Sequence, residues 1–260
     1  MLIGVMGAMG EEVEWMVRHL KKTGEREMGR RIYHQGNLGG ADVVLAYSRV
    51  GKVSSASTAT TLIDVFGVDL ILFTGLAGGV RNDLEVGDVV IASELVQYDM
   101  DGSALPMFKK FEIPLLGIQR FPVRPEDVAL ALRHSQNYLD VCLWKDVDAA
   151  LLQEFHLTKP KAVSGLIGSG DQFIASSEKV AELTRELPGL TCLEMEGAAV
   201  AQVCYEHGIP VIVMRVISDK ADHSAHIDFT KFLEKIASPL SGGIAITLLE
   251  SLAGSKRPTS

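Results

Sequence analysis

Three acidic residues stand where an α/β chain tends to display chemistry, at the end of an apolar run or at the start of the stretch that follows it: Glu12, Glu196 and Asp219. A carboxyl group in such a place has two uses. Burial or a like-charged neighbour lets it keep its proton near neutral pH and act as an acid; ionised, it accepts a proton from water or stabilises a developing cation. Each acid also has a plainer reading. Glu11 and Glu12 follow the run Leu2–Ala8 through Met9-Gly10, where a helix dipole favours acids in any case. Glu194 and Glu196 flank Met195 after an apolar strand, and two acids there are harder to explain as decoration of a solvated face. Asp219 closes the run Val211–Ile217, directly after Arg215 and Ser218, and is either a helix cap or a catalytic group.

Familiar motifs fail on their spacing. Thr74-Gly75-Leu76-Ala77-Gly78-Gly79 follows a strand, but its glycines do not fall at G-x-G-x-x-G, which argues against a nicotinamide site. Gly51-Lys52 resembles the end of a phosphate loop, yet Val53 occupies the hydroxyl position and the upstream glycine is missing. No G-x-S-x-G elbow is present. His223 and His226 share a helical spacing without a further ligand pattern, and read as exposed loop histidines instead of a metal site. Cys142, Cys192 and Cys204 lack the spacing of paired or zinc-binding thiols and read as reduced, small hydrophobes.

The elements that must position these acids alternate short apolar runs with amphipathic stretches, the pattern of helices covering a sheet. Candidate strands are Leu2–Ala8, Arg31–Leu38, Ala41–Val50, Asp69–Leu76, Asp88–Tyr98, Ala162–Asp171, Leu190–Glu194 and Val211–Ser218. Candidate helices are Glu11–Lys22, Lys52–Phe66, Pro125–Leu139, Ser176–Leu187, Glu196–His207 and a last one from Asp228 to Leu252. Gly39-Gly40 joins Arg31–Val50 as a hairpin, so the sheet is mixed. The 260 residues suit one domain, 1–253, with a polar, frayed tail at 254–260. Between Tyr98 and Pro125 the pattern turns irregular but stays apolar, as in a lid or a subunit contact. A net charge of −8 disfavours sequence-independent nucleic-acid binding, and Leu2–Met9 is too short for a membrane span and lacks the flanks of a signal peptide. A cytoplasmic protein without nucleic-acid or membrane partners is expected.

Seven segments in order carry a resemblance: Gly7-Ala8-Met9-Gly10-Glu11-Glu12, Ser48-Arg49-Val50-Gly51-Lys52, Thr74–Gly79, Gly87-Asp88-Val89-Val90, Ser169-Gly170-Asp171-Gln172-Phe173-Ile174, Glu194-Met195-Glu196-Gly197-Ala198-Ala199 and Arg215-Val216-Ile217-Ser218-Asp219. Together they resemble the methylthioadenosine/S-adenosylhomocysteine nucleosidases of the nucleoside phosphorylase superfamily, from residue 1 to about residue 250. The resemblance implies a three-layer α/β/α sandwich with a central mixed, twisted sheet, a homodimer, and hydrolysis of 5′-thioadenosine nucleosides without metal or cofactor. It implies Glu12 as the base for water, with Arg215 placing that water and the neighbouring carboxylates. Glu196 and Met195 would hold the ribose hydroxyls, and Asp219 would protonate adenine N7. Phe173 would stack on the base, the backbone of Ile174 would read its Watson–Crick edge, and Phe229 would line the ribose and the 5′ region. Met9, Val50, Leu76, Ala77, Gly78 and Ser218 complete the expected substrate site.

The implied chemistry suits these residue types. Adenine leaves poorly until N7 is protonated, and bond breaking puts cationic character on the sugar, which carboxylates stabilise. Leu105, Pro106, Met107 and Phe108, from either subunit, with Val50 and Phe229, would receive an apolar 5′ group. Leu76 stands where the bacterial enzymes often carry Ser; Gly102 and Leu105 also depart from the usual lid, and Gly10 replaces an acid. A phosphorylase, a hydrolase for another 5′-modified nucleoside such as futalosine, and a non-catalytic ligand sensor or adhesin remain alternatives on the same fold.

Overall fold

The computed structural model describes residues 1–222 and 225–254, with residues 226–228 as backbone alone. His223, the side chain of His226 and tail residues 255–260 lie outside the described residues.

The chain runs β1 (Leu2–Gly7), α1 (Gly10–His19), β2 (Lys21–Met28), β3 (Arg31–Leu38), β4 (Ala41–Tyr47), α2 (Lys52–Asp64), β5 (Leu70–Phe73), β6 (Leu76–Gly79), β7 (Val89–Gln97) and β8 (Phe121–Pro122). It continues through α3 (Pro125–Asn137), α4 (Leu143–Asp146), α5 (Ala149–Glu154), β9 (Ala162–Ser169), α6 (Ser177–Glu186), β10 (Leu190–Glu194), α7 (Gly197–His207), β11 (Val211–Asp219), α8 (Ala225–Phe232) and α9 (Ser238–Gly254). The described strands form one mixed sheet in the order β2-β3-β4-β1-β5-β11-β6-β10-β9-β7-β8. β11 lies parallel to β5 and β6 and also pairs antiparallel with β7, so β11, β6, β10, β9 and β7 close into a ring.

Strands buried on both faces read as continuous apolar runs. Val5, Leu45, Leu72 and Met214 pack on one face against Val13 and Met16 of α1, Ala131 of α3 and Ile244 and Leu248 of α9. Met6, Ala46, Phe73 and Val213 pack on the other against Ala59 and Leu62 of α2 and Val200 and Cys204 of α7. The outcome is the expected three-layer α/β/α sandwich. A smaller cluster, including Leu183 of α6 and Leu193 of β10, fills the ring's outer side. The β3–β4 hairpin closes at Leu38↔Ala41, with positive φ at both Gly39 and Gly40.

Several expected elements are redrawn. The first helix stops at His19 instead of Lys22, because the chain turns extended at Leu20 and Lys21–Met28 becomes an edge strand. That strand is exposed at six of its eight residues, so it has no apolar side to announce itself. The expected strand Asp69–Leu76 breaks at Thr74-Gly75 into β5 and β6. Short α4, α5 and β8 were not expected. The expected last helix is α8 and α9 joined by a π turn, Leu233–Ala237. The turn falls just before Pro239, which has no N–H to return to the carbonyl four residues back. The helical run Phe229–Gly254 is long and apolar enough to cross a bilayer, yet its apolar surface is taken up by α1, α3 and the sheet, which makes it a core helix.

The Tyr138 hydroxyl, buried between α3 and α9, lies 3.1 Å from both Asp146 Oδ2 and the Pro239 carbonyl. Tyr138→Phe leaves these acceptors without that donor and is expected to cost about 1 kcal/mol of stability, read as a lowered urea midpoint with an unchanged slope.

Candidate active site

The site forms where β1, β6, β10 and β11 end, the place an α/β sheet offers to ligands. β1 delivers the chain to α1, and Glu12 in the first turn folds back on the helix N-terminus. Its Oε2 accepts hydrogen bonds from the backbone N–H groups of Ala8 (2.6 Å) and Met9 (2.9 Å), and its Oε1 accepts one from Leu76 N–H (3.1 Å). The plain reading of Glu12 as a helix-terminal acid is therefore realised, and the same carboxylate also lines a cleft. The break between β5 and β6 brings Gly75 against it: a Cβ there would sit 2.9 Å from Glu12 Oε1. Leu76 takes part through its N–H, a contact that no side chain is needed to make.

β10 ends in Glu194 and α7 begins just after Glu196. Glu194 accepts from Glu196 N–H (3.2 Å), from Gly197 N–H (2.8 Å) and from the Ser169 hydroxyl, so it caps α7 from the strand side. It also pairs with Arg215, 3.1 Å from Nε and 2.6 Å from Nη2. Arg215 is 1% exposed, donates to the Phe73 and Met214 carbonyls, and lies over the Phe73 ring at 4.1 Å. Glu196 points the other way, into the cleft, and its Oε1 accepts from Gly51 N–H at 2.8 Å. Asp219 ends β11, where the Ser218 hydroxyl donates to its Oδ2 and Ala221 N–H to its Oδ1, each at 2.8 Å.

These groups share one cleft, open to solvent at its mouth. Glu12, Glu196 and Asp219 line it, with Met9, Val50, Leu76, Ala77, Gly78, Phe173, Ile174, Met195, Ser218 and Phe229. The rings of Phe173 and Phe229 meet edge to face at 5.5 Å, and Phe173 remains 47% exposed at the mouth. Arg215, expected to place the water, does not line the cleft. It stands behind the acids, committed to Glu194. Leu105, Pro106, Met107 and Phe108, expected to receive the 5′ group, are also absent from the lining of the cleft. Ala8, Gln172, Leu193, Glu194 and Ala221 line the cleft without having been singled out as site residues. Glu194 shared the strand-end signal of Glu196, and both reach the cleft, Glu194 while paired with Arg215.

Burial raises the Glu12 carboxyl above the usual range, opposed by the Met9 N–H, the Arg215 charge and the other two backbone donors. Glu196 is pushed up to about 8, first by burial and then by the negative charge of Glu194, against the pull of Arg215 and the Gly51 N–H. Burial alone would lower Arg215, but Glu194, Glu196 and Glu12 more than offset this and hold it above its ordinary value. The arrangement places a cation behind two carboxyl groups, Glu12 and Glu196, that retain protons more tightly than in water, facing a partly apolar cleft.

Residues 2–250 match the family model of the phosphorylase superfamily. A 5′-methylthioadenosine/S-adenosylhomocysteine nucleosidase from Haemophilus influenzae is 34% identical over 253 residues, 97% of this chain and 100% of the relative. An aminodeoxyfutalosine nucleosidase from Helicobacter pylori is 38% identical over 236 residues, 90% of this chain and 92% of the relative. The crystal structure of the Neisseria meningitidis 5′-methylthioadenosine/S-adenosylhomocysteine nucleosidase with methylthio-immucillin-A is similar at a TM-score of 0.84 and 32% identity, covering 96% of this chain and 99% of that one.

The raised pKa of Glu196 has a sign in stability. The unfolded chain releases this proton near 4.5 and the folded chain near about 8, so the folded state holds an extra proton between them. The stability this contributes is fully present below the unfolded value and is lost as pH rises through the folded one. Glu196→Gln is expected to flatten part of the fall in unfolding free energy between about pH 5 and about pH 9, followed by urea titration, while Glu12 keeps a fall in the same direction.

Proposed function

Because this chain belongs to the phosphorylase superfamily, and within it to the 5′-methylthioadenosine/S-adenosylhomocysteine nucleosidase family, we propose that it hydrolyses the N-glycosidic bond of 5′-methylthioadenosine and S-adenosylhomocysteine. Adenine and the 5′-substituted ribose are the products, and 5′-deoxyadenosine is a further substrate. The observation that carries this reading is the convergence of Glu12, Glu196 and Asp219 on one cleft that also presents Phe173 and Phe229.

The roles we assign are those the family resemblance implies, and the shared cleft supports them. Phe173 stacks on the base, the Ile174 backbone meets its Watson–Crick edge, and Asp219 donates a proton to N7, turning adenine into a neutral leaving group. As the bond lengthens, positive charge grows on the sugar; Glu196 and the Met195 backbone hold the ribose hydroxyls, and the carboxylates stabilise that charge. Glu12 takes a proton from water as it attacks, and its raised pKa makes it a stronger acceptor when ionised. Arg215 acts on Glu12 and Glu196 through the field of its charge and through Glu194. Ala77, Gly78 and Ser218 support the base side, Met9 and Leu76 the water side, and Val50 and Phe229 the 5′ end. None of these steps calls for a metal or a cofactor.

Water is favoured over phosphate because the attacking group meets Glu12. At an effective dielectric of 20, two like charges about 4 Å apart repel by roughly 4 kcal/mol, which an ionised carboxylate would impose on a phosphate dianion. A second substrate, aminodeoxyfutalosine, is supported by the 38% identity to the Helicobacter pylori nucleosidase; it calls for the same bond cleavage with a different 5′ group.

Exposed Leu105, Met107 and Leu115 in the segment between Tyr98 and Pro125, with Val53 82% exposed on α2, support a homodimer whose interface includes residues 98–125. Such a dimer lets one subunit's Leu105–Phe108 cover the partner cleft. A cytoplasmic role in methionine salvage, with nucleosides as its partners and neither nucleic acid nor membrane involved, fits this chemistry.

Purified protein is expected to release adenine from S-adenosylhomocysteine at the same rate with and without phosphate, giving the free ribose product by chromatography; a ribose 1-phosphate product would make it a phosphorylase. Glu12→Gln is expected to lower kcat by roughly 10²- to 10⁴-fold while calorimetry still registers nucleoside binding. Light scattering during gel filtration is expected to return twice the chain mass, and Leu115→Glu to shift it toward the monomer.

A further inference from the structure

The mouth of the cleft is built by a segment without regular structure. Residues 170–174 leave the end of β9 carrying Phe173 and Ile174, and Asp171, Gln172 and Phe173 are all exposed. Fixing the backbone of such a segment costs about 1–2 kcal/mol per residue, so an aromatic ring presented from it needs fastening from outside. The fastening is a closed circuit. Lys52 N–H, at the start of α2, donates to Asp171 Oδ1 at 2.8 Å; Asp171 N–H donates to Asp99 Oδ2 at 2.9 Å; and Lys52 Nζ donates to Asp99 Oδ1 at 2.6 Å. The side chains of Lys52 and Asp99 are 16% and 20% exposed, which sets this pair apart from ion pairs that water dissolves. Lys52 Nζ is steadied by Gln97 Oε1 at 3.2 Å, and the Tyr98 hydroxyl donates to the Gln172 carbonyl at 2.9 Å.

The neighbouring peptide reaches the opposite wall. Gly51 N–H donates to Glu196 Oε1 while Lys52 N–H, one residue on, holds Asp171. Two consecutive backbone donors at one helix start therefore fix a group on the sugar side and the loop on the base side. Lys52, Asp99 and Asp171 do not line the cleft themselves.

We infer that Lys52, Asp99 and Asp171 are positioning residues: a latch by which the first turn of α2 sets Phe173 and Ile174 against the base, in register with Glu196 at the sugar. The inference rests on the nucleosidase reading above. A latch of this kind acts on the hold of the base, which is felt alike in the ground state and the transition state, so its loss appears in KM and in affinity for free adenine more than in kcat.

The test uses the full chain, with free adenine as the calorimetric probe and S-adenosylhomocysteine as the kinetic one. Asp171→Ala is expected to weaken adenine binding and raise KM by roughly three- to tenfold, the worth of one well-placed hydrogen bond, with kcat within about twofold. Asp171→Asn, whose amide oxygen can accept the Lys52 N–H, is expected to restore both, and Lys52→Met to reproduce the alanine effect. Unchanged adenine affinity and KM in Asp171→Ala and Lys52→Met would overturn the latch. So would a loss confined to kcat and thermal stability, which is what a merely structural role predicts. A wild-type chain that binds no adenine would overturn the nucleosidase reading and the latch with it; a wild-type chain that binds adenine beside variants that bind it equally well would overturn the latch alone.

Discussion

The site depends on one buried guanidinium. Arg215 sits in the middle of β11, 1% exposed, and its charge is felt by Glu194, Glu196 and Glu12. Glu194 satisfies it directly, which leaves the other two acids in the same dry region with only a share of its field. A protein interior tolerates such a group only when the geometry is exact enough to replace lost hydration, and removing one partner of a buried pair commonly costs about 3–5 kcal/mol. Here the replacement comes from backbone. Phe73 and Met214 give carbonyls to the cation, and Ala8, Met9, Leu76, Gly51, Glu196 and Gly197 give N–H groups to the anions. The ends of β1 and β10, the start of β6 and the starts of α1, α2 and α7 must all be where they are for those donors to arrive.

This arrangement accounts for the division of labour in the cleft. Glu194 is spent on the cation and on capping α7, so it is fixed. Glu196, two residues along, stays free of that duty and faces the ligand with a pKa raised by burial and by its neighbour. Glu12 is held by three N–H groups, so its carboxylate cannot swing, and its orientation toward the cleft needs no reorganisation as charge moves. Asp219 draws its donors from Ser218 and Ala221 and lines the same cleft. The acids thus come from the start of α1 and from the ends of β10 and β11, and the sheet sets where those elements stand.

Much of this was legible in the sequence because apolar strands buried on both faces leave little doubt about where they end, and an acid at such an end is conspicuous. Glu12, Glu196 and Asp219 were found that way. The location of Arg215 was not, because an arginine inside an apolar strand reads the same whether it faces a ligand or backs the residues that do. Glu194 and Glu196 carry identical signals and are separated only by the turn into α7. Lys21–Met28 escaped because an edge strand with charges on both sides has no period of burial, and its first lysines continued the helical pattern of α1. The split at Thr74-Gly75 was hidden by unbroken hydrophobicity, and the break falls where Gly75 lies close to the Glu12 carboxylate, 63 positions distant in the chain. The irregular nature of the segment after Tyr98 was plain, but composition does not say which face of the molecule such a segment will cover.

The sheet finishes differently at its two borders. At one lies β2, with Lys21, Lys22, Glu25, Arg26 and Glu27 turned to solvent; at the other lies β8, two residues long, one of them Pro122. A foreign strand approaching the first would have to strip water from a row of charges, and at the second it would find almost no ladder to extend. Both borders of the sheet thereby disfavour self-association by strand addition, leaving its hydrogen-bonding edges poor templates for a second chain.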